Sequence, residues 1–494
     1  MQDLNNFRLE ALKNISRRHF LRESAAGLGA VALGSLMSGC ASKTGPSDNY
    51  LLSHVDPMFP KPPHFPGKAK QVIYLHMAGA PSQLELFDFK PELKKLDNQL
   101  CPPSLLEGKR FAFIRGVPRM LGPQAHFKQH GQSGALISEN LPHFAGVADE
   151  VSFLKGVYTD QFNHAPAQLF VHSGSPRLGR PSMGSWITYG LGTENRNLPG
   201  FVVLTSGGKN PDAGKSVWGS GFLPSVYQGV QCRSEGEPVL FLNDPEGMDR
   251  NMKKKTIDAI NAVNQQHYDE FNDPETLTRI AQYEMAFRMQ VSVPEVMNIN
   301  NEPAYIHELY GTTPGQASFA NNCLLARKLV EQGVRFVQLF DWGWDAHGTS
   351  ANESVDYGIK EKCRLIDRPM TALLLDLKQR GLLDETLVVW GGEFGRTPMQ
   401  ENREGKTMMF KGRDHHVEAF TMWMAGGGIK KGATWGETDE IGYYPINGKV
   451  SLHDIQATIL NQVGFDHEKL TYYFQGRPFR LTDVSGKVIQ EIVA

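Results

Sequence analysis

From Ser318 onward the chain twice repeats one unit: an apolar-periodic helix, a glycine stop and a short buried strand. Residues 318–332 carry Leu324, Leu325 and Leu329 at helical spacing, stop near Gly333 and run straight into the apolar stretch 334–340. Residues 370–380 form the next helix, Gly381 breaks it, and residues 386–390 make the next strand. A glycine just past the last periodic residue ends a helix, and a continuous apolar run bounded by turns reads as a strand buried on both faces. Further strands are expected at residues 71–75 and 419–425, and a late helix at 452–463. Helices alternating with buried strands predict an α/β protein, an α/β/α sandwich around a mostly parallel central sheet. Ligands of such sheets gather at the carboxyl ends of the strands.

Two segments stand outside this rhythm. Residues 206–301 are first polar, then charged and helical over 252–289, and read as a helical insertion. The N-terminus reads as an export signal: Ser16-Arg17-Arg18-His19-Phe20-Leu21-Arg22 precedes a short Gly/Ala-rich apolar run ending at Cys40. Paired arginines, a weakly apolar stretch too short to span a bilayer and small closing residues are the order of a twin-arginine signal peptide. Leu36-Met37-Ser38-Gly39-Cys40 has the order of a lipobox, with Met37 off its preferred residue type. The expectation is therefore a signal over 1–40, a proline-rich tether over 41–68 and a globular body over 69–494. The partners implied are the twin-arginine export machinery and a membrane anchored through Cys40, with the body in the periplasm or cell envelope.

Charge excludes one large class of function. The chain has 51 Lys/Arg against 53 Asp/Glu, net −2; five basic and three acidic residues fall within 1–40, leaving a body at −4. Such a body lacks the basic excess of a nucleic-acid binder. Cys101, Cys232, Cys323 and Cys363 are widely spaced, with no metal-knuckle pattern, and assign no disulfide.

Chemistry concentrates where the strands end. After residue 340 comes Asp341-Trp342-Gly343-Trp344-Asp345-Ala346-His347-Gly348, and after residue 390 comes Gly391-Gly392-Glu393-Phe394-Gly395-Arg396. Arg413-Asp414-His415-His416 stands just before the strand at 419. Imidazole and carboxylate are ligands for zinc, manganese or iron, so Asp345, His347, Glu393, Asp414, His415 and His416 are candidate metal ligands. Since His415 and His416 are neighbours, one is expected to bind directly and the other to lie behind it or in the substrate pocket. Arg396 is a candidate anion clamp, because its guanidinium fork matches sulfate or phosphate oxygens; the alternative is an arginine paired with Glu393.

An earlier cluster, Asn163-His164-Ala165-Pro166 through His172-Ser173-Gly174, brings in a resemblance. The chain resembles the sulfatase and alkaline phosphatase superfamily over nearly its whole body, and more closely the exported domain-of-unknown-function family 1501. The latter likeness rests on Gly79-Ala80-Pro81-Ser82 and Phe87-Asp88-Phe89-Lys90-Pro91. In sulfatases a nucleophile loop, Cys-x-Pro-Ser-Arg, opens a helix ending in Thr-Gly. Placing Gly174 on that glycine sets Pro166 on the family proline and His164 on the nucleophile, where this chain has no Cys, Ser or Thr. His164 is then a direct nucleophile, a metal ligand or a structural residue. The superfamily Asp-His-Gly falls on Glu393-Phe394-Gly395 and its late metal histidine among Asp414, His415 and His416, while Asp345 and His347 resemble the acid and histidine of its metal-dependent phosphomutases. The usual first-strand aspartate is missing, leaving Ser82, Glu85 or Asp88 to compensate.

The resemblance implies an alkaline phosphatase-like fold and an exported, metal-dependent hydrolase of sulfate or phosphate esters, small or on polysaccharide, using zinc, manganese or calcium. The alternative is a non-catalytic surface lipoprotein using the same cleft to bind glycan or a protein partner.

Overall fold

The computed structural model describes residues 56–494 except 235, 240–246 and 404–405. The export signal, the lipobox and Cys40 therefore lie outside the described residues. Of the proline-rich stretch, the last part is seen against the body: Lys61 N donates to Leu191 O at 2.8 Å and Ala69 N to Gln462 O at 2.9 Å, and Met58 is buried.

Nine strands make the central sheet. In chain order they are β1 (Gln71–Ala78), β2 (Val151–Tyr158), β3 (Phe201–Ser206), β4 (Val230–Cys232), β5 (Phe336–Trp342), β6 (Thr386–Gly391), β7 (Phe420–Ala425), β8 (Thr434–Trp435) and β9 (Val450–Ser451). They lie side by side as β8-β2-β7-β6-β1-β5-β3-β4, with β9 also against β2. All pairings are parallel except those of β7, which runs antiparallel to both β2 and β6.

The main helices are α1 (His164–Ser173), α2 (Met183–Leu191), α3 (Arg250–Phe271), α4 (Pro274–Met297), α5 (Phe319–Glu331), α6 (Gly358–Gln379) and α7 (Leu452–Gln462). They cover both faces of the sheet. Alternation along β1 divides its side chains: Ile73, Leu75 and Met77 join one core with α5 and α6, while Val72 and Tyr74 join the other with α1, α2 and α7. The sandwich expected from the helix–strand rhythm is therefore the observed architecture.

Three details differ from the sequence reading. The helical run of 252–289 is two helices: Asn272 adopts a left-handed φ of 51°, and Asp273 caps the next helix through Glu275 N, with Pro274 at its first position. Part of the insertion belongs to the sheet, because β4 extends it beyond β3, and Met289, Val293 and Met297 of α4 sink into the main core. Helix α6 starts twelve residues before Met370 and passes through Pro369. Proline frees the carbonyl four residues back, and here that residue, Leu365, is 50% exposed, on the open side of the helix.

Candidate metal centre

The sheet topology decides which loops meet. Strands β2, β5 and β6 run the same way, so the segments that follow them open at one edge. Because β7 runs the opposite way, the segment that precedes it opens at that edge too. These four segments carry His164 at the start of α1, Asp345 and His347 after β5, Glu393 and Arg396 after β6, and Asp414, His415 and His416 before β7. A two-residue ribbon fixes the last two segments together, with His415 opposite Arg396 and His416 opposite Gly395.

At this edge one donor atom from each of His164, Asp345, His347 and His415 falls within a mutual 4.8 Å. Asp345 Oδ1 lies 3.2 Å from His164 Nε2, 2.8 Å from His347 Nε2 and 3.5 Å from His415 Nε2, and the last two nitrogens are 3.1 Å apart. A tetrahedral ion with ligands at ~2.0–2.1 Å separates those ligands by about 3.3 Å, and these four spacings scatter around that value.

The opposite side of each ring explains why Nε2 points inward. His164 Nδ1 is 2.7 Å from Glu393 Oε1, His415 Nδ1 is 2.5 Å from Phe162 O, and His347 Nδ1 is bonded to Glu401 Oε2. Each acceptor favours the tautomer with hydrogen on Nδ1, which leaves the Nε2 lone pair free. Each Nε2 can thus offer a lone pair to an ion seated beside the Asp345 oxygen once its proton is given up. His164 Nε2, buried and 3.2 Å from Asp345, makes no hydrogen bond. The residues thus fit a metal ion, and three imidazole nitrogens with one carboxylate suit zinc or manganese rather than the all-oxygen shell of calcium.

Electrostatics agree with this geometry. Burial would raise the Asp345 carboxyl, yet Arg396 and the three histidines hold it far below the usual carboxylate range. Burial works to lower His164, but Asp345 and Glu393 carry it up to about 9. His347 is likewise raised, by Asp345 and Glu401 against its burial. His415 goes the other way, down to about 4, because burial and the charge of Arg396 outweigh its contact with Asp345.

The remaining candidates stand around this group. Glu393 is fully buried behind His164, also accepting from Gly79 N at 3.0 Å and facing His76 Nε2 at 3.2 Å. Asp414 forms a second grouping with His347 and Glu401. Its oxygens, however, accept from the backbone N–H groups of Phe113, Ile114 and His415 at 2.8, 2.8 and 2.7 Å, and so it holds the loop. His416 turns away to Tyr443 O at 2.6 Å, and burial lowers its pKa. Arg396, expected as an anion clamp, is 0% exposed. Its guanidinium donates to Ala80 O, Arg413 O, Gly79 O and Asp345 Oδ1 at 3.0, 3.0, 2.5 and 2.5 Å, so it holds Asp345 and pairs with neither solvent nor Glu393. Of the first-strand alternatives, Glu85 is bound to Arg413 and Asp88 to Lys90 and Thr438, while buried Ser82 Oγ has no partner. Gly79, with φ 105°, marks why the first strand ends tightly: a Cβ there would lie 2.6 Å from Asp345 N.

Sequence reasoning missed Glu401, Phe162 O and His76. Glu401 lies beyond the ribbon, next to the small strand Asn402–Arg403 and away from every strand of the central sheet, and a backbone carbonyl carries no residue signature. His76 was legible in principle, as an imidazole inside a buried strand, and with His172 (Nε2 to His76 Nδ1, 3.2 Å) it extends the polar chain behind Glu393.

The fold and site together define an α/β/α sandwich protein with a four-donor centre, fit for a metal ion, at the carboxyl edge of its sheet. The profile of the family described as "Protein of unknown function (DUF1501)" matches residues 69–493. The chain belongs to that family. Comparison with curated proteins gives no match. Among solved structures, it is similar to the PsFucS1 sulfatase from Pseudoalteromonas sp., at 12% identity and TM-score 0.37 over 81% of this chain and 68% of that one. It is also similar to a mutant of TAB5 alkaline phosphatase, from an Antarctic bacterium (11%, TM-score 0.32, 81% and 99%), and to the lipoteichoic acid synthase LtaP from Listeria monocytogenes (10%, TM-score 0.35, 90% and 82%). At these TM-scores the likenesses decide nothing about the site.

Proposed function

We propose that this chain is a metal-dependent hydrolase of sulfate or phosphate esters, with His164, Asp345, His347 and His415 holding one zinc-class ion. The observation that carries the reading is the convergence of three braced Nε2 atoms on one Asp345 oxygen. An ion held there would supply Lewis-acid polarisation of an ester oxygen and an acidified water. Of the three roles open to His164, that of ligand is best supported, since its two ring nitrogens are directed at Glu393 and Asp345 and neither is turned to a substrate. Asp345, with 29% of its side chain exposed, is the open side of the group, and the ester would approach there. Arg396 keeps that carboxylate ionised and in place.

One observation favours the second reading, a surface protein that binds glycan or a partner without turnover. Four protein donors complete a tetrahedral shell, as structural zinc sites do, whereas hydrolytic sites keep a position open. Zinc-loaded mature protein tested on aryl sulfates, phosphate monoesters and phosphodiesters separates the two. Turnover that disappears in the Asp345→Ala/His347→Ala variant supports the hydrolase; no turnover by a fully loaded wild type supports the binder.

Export belongs to the same proposal. Arg17-Arg18 and Cys40 support delivery of the folded body through the twin-arginine route to the cell envelope, held by lipid. Changing both arginines to lysine should leave the protein in the cytoplasm, and undiminished delivery to the envelope would refute this route.

A further inference from the structure

Along the outer strand β4 and the end of β3, with the residues that flank β4 on both sides, lies a cavity of about 620 Å³. That is within the roughly 300–1,000 Å³ of small-molecule sites. Its described lining contains two charged side chains, Lys215 and Arg233, both basic and exposed, and neither has an ion-pair partner among the described residues. Asn210, Gln228 and Gln231 add amide groups, and Thr205 a hydroxyl; Gln231 Nε2 donates to Asn210 Oδ1 at 3.2 Å and to Thr205 Oγ1 at 3.4 Å, which leaves the Asn210 Nδ2, the Gln231 Oε1 and the Gln228 amide to a ligand. The one large aromatic ring of the lining, Trp218, is 4% exposed and offers little face for stacking a base. Amides and hydroxyls in number suit a ligand rich in hydroxyl groups, and unpaired cations suit an anionic substituent on it.

One loop connects the cavity with the residues behind the metal centre. The loop after β3 sends Asn210 and Lys215 to the cavity, where Asn210 Oδ1 accepts from Gln231 Nε2 at 3.2 Å. Between those two residues the same loop is tied to the metal side. Ala213 N donates to Gln168 Oε1 at 3.2 Å, and Gln168 Nε2 reaches Glu393 Oε1 at 3.3 Å. Lys209 Nζ stands 5.3 Å over the Trp342 ring, which lies 6.3 Å from the ring of His164. Lys209, next in sequence to the cavity residue Asn210, thus reaches the ring that stands beside His164.

We propose that this cavity is a binding subsite for an anionic saccharide, which it seats alongside the metal centre. Only the purpose of that seating rests on the hydrolase reading; the binding itself does not.

The test is calorimetric titration of zinc-loaded mature protein with three forms of one disaccharide: sulfated, uronic and neutral. Inorganic sulfate serves as a fourth probe. Wild type should bind one or both anionic forms at least tenfold more tightly than the neutral form and than sulfate alone, and the better form identifies the substituent. Lys215→Ala/Arg233→Ala, both exposed positions, should reduce that affinity at least tenfold with zinc content and melting temperature unchanged. Asn210→Ala should weaken the anionic and neutral forms alike. Equal affinity for neutral and anionic forms, sulfate binding as tightly as the sulfated sugar, or a double variant that binds like wild type would each overturn the proposal. Asp345→Ala/His347→Ala should still bind the saccharide; saccharide binding by a zinc-loaded wild type that turns over no ester refutes the hydrolase alone. Turnover of small esters with no saccharide binding refutes the subsite alone.

Discussion

On the proposed reading, His164 carries the proton that an incoming ion would displace. Its folded pKa of about 9 lies above the ordinary histidine value of about 6.5, so in metal-free protein its contribution to stability is full below pH ~6.5 and lost as pH rises through ~9. His415, lowered to about 4, acts in the other window: the unfolded state takes up its proton first, and stability falls as pH drops from ~6.5 toward ~4. For metal binding the sign follows from His164. Zinc should release at least one proton at pH 7.5, and its apparent affinity should rise about tenfold per pH unit before levelling near pH 9. Glu393→Gln removes the carboxylate that both orients and charges His164, so zinc affinity should fall ~10–100-fold with proton release reduced. Titration in buffers of differing ionisation enthalpy measures both, and release of no proton by wild type would contradict this account. Asp345, His347 and His415 were legible as candidate ligands because they stand in the segments beside the ends of β5 and β7. The braces behind them were not, since Glu401 and Phe162 O are brought in by loops whose path leaves no periodic pattern.

At the scale of elements, buried arginines hold the strand-end segments together. Arg413 and Glu85 are both 0% exposed, 2.6 Å apart, and Arg413 also donates to Leu121 O, Gly122 O and Thr397 O at 3.0, 2.9 and 3.2 Å. One side chain thus ties the short helix after β1, the loop at 121–122 and the ribbon before β7. Arg413→Ala leaves Glu85 buried without a partner, which costs about 3–5 kcal/mol. Urea unfolding should show that loss as a lowered midpoint, and a change under ~1 kcal/mol would mean the pair is not buried as described. The neighbouring Gly412 shows how tight this junction is, for a Cβ there would run into the backbone of His347. Strands β1, β5, β6 and β7 were legible because apolar runs met glycine stops. Strand β2 was not, because Lys155 and Gly156 interrupt its apolar run even though its other residues are almost all buried. Strand β3 carried a readable signal, four apolar residues after Pro199-Gly200, but it adjoins the polar insertion and was hidden by it.

Over the whole molecule, one topological choice makes the site. A sheet with β7 parallel to its neighbours would send the segment before it to the far edge and take His415 away from Asp345. The single antiparallel strand brings that segment back, and with it Arg413, Asp414 and His415. The four free, buried cysteines of the described residues offer no alternative donor set, since they lie in the cores and burial raises their thiols. What the sequence could not show was this reversal of direction, which depends on pairing across the sheet. The central claim is that four residues, gathered from segments next to three different strands and one helix, hold one ion. Titration of zinc into metal-free mature protein tests it most directly: wild type should bind one equivalent in a saturable step that Asp345→Ala/His347→Ala abolishes, whereas no binding by wild type, or the same step in the variant, would contradict it.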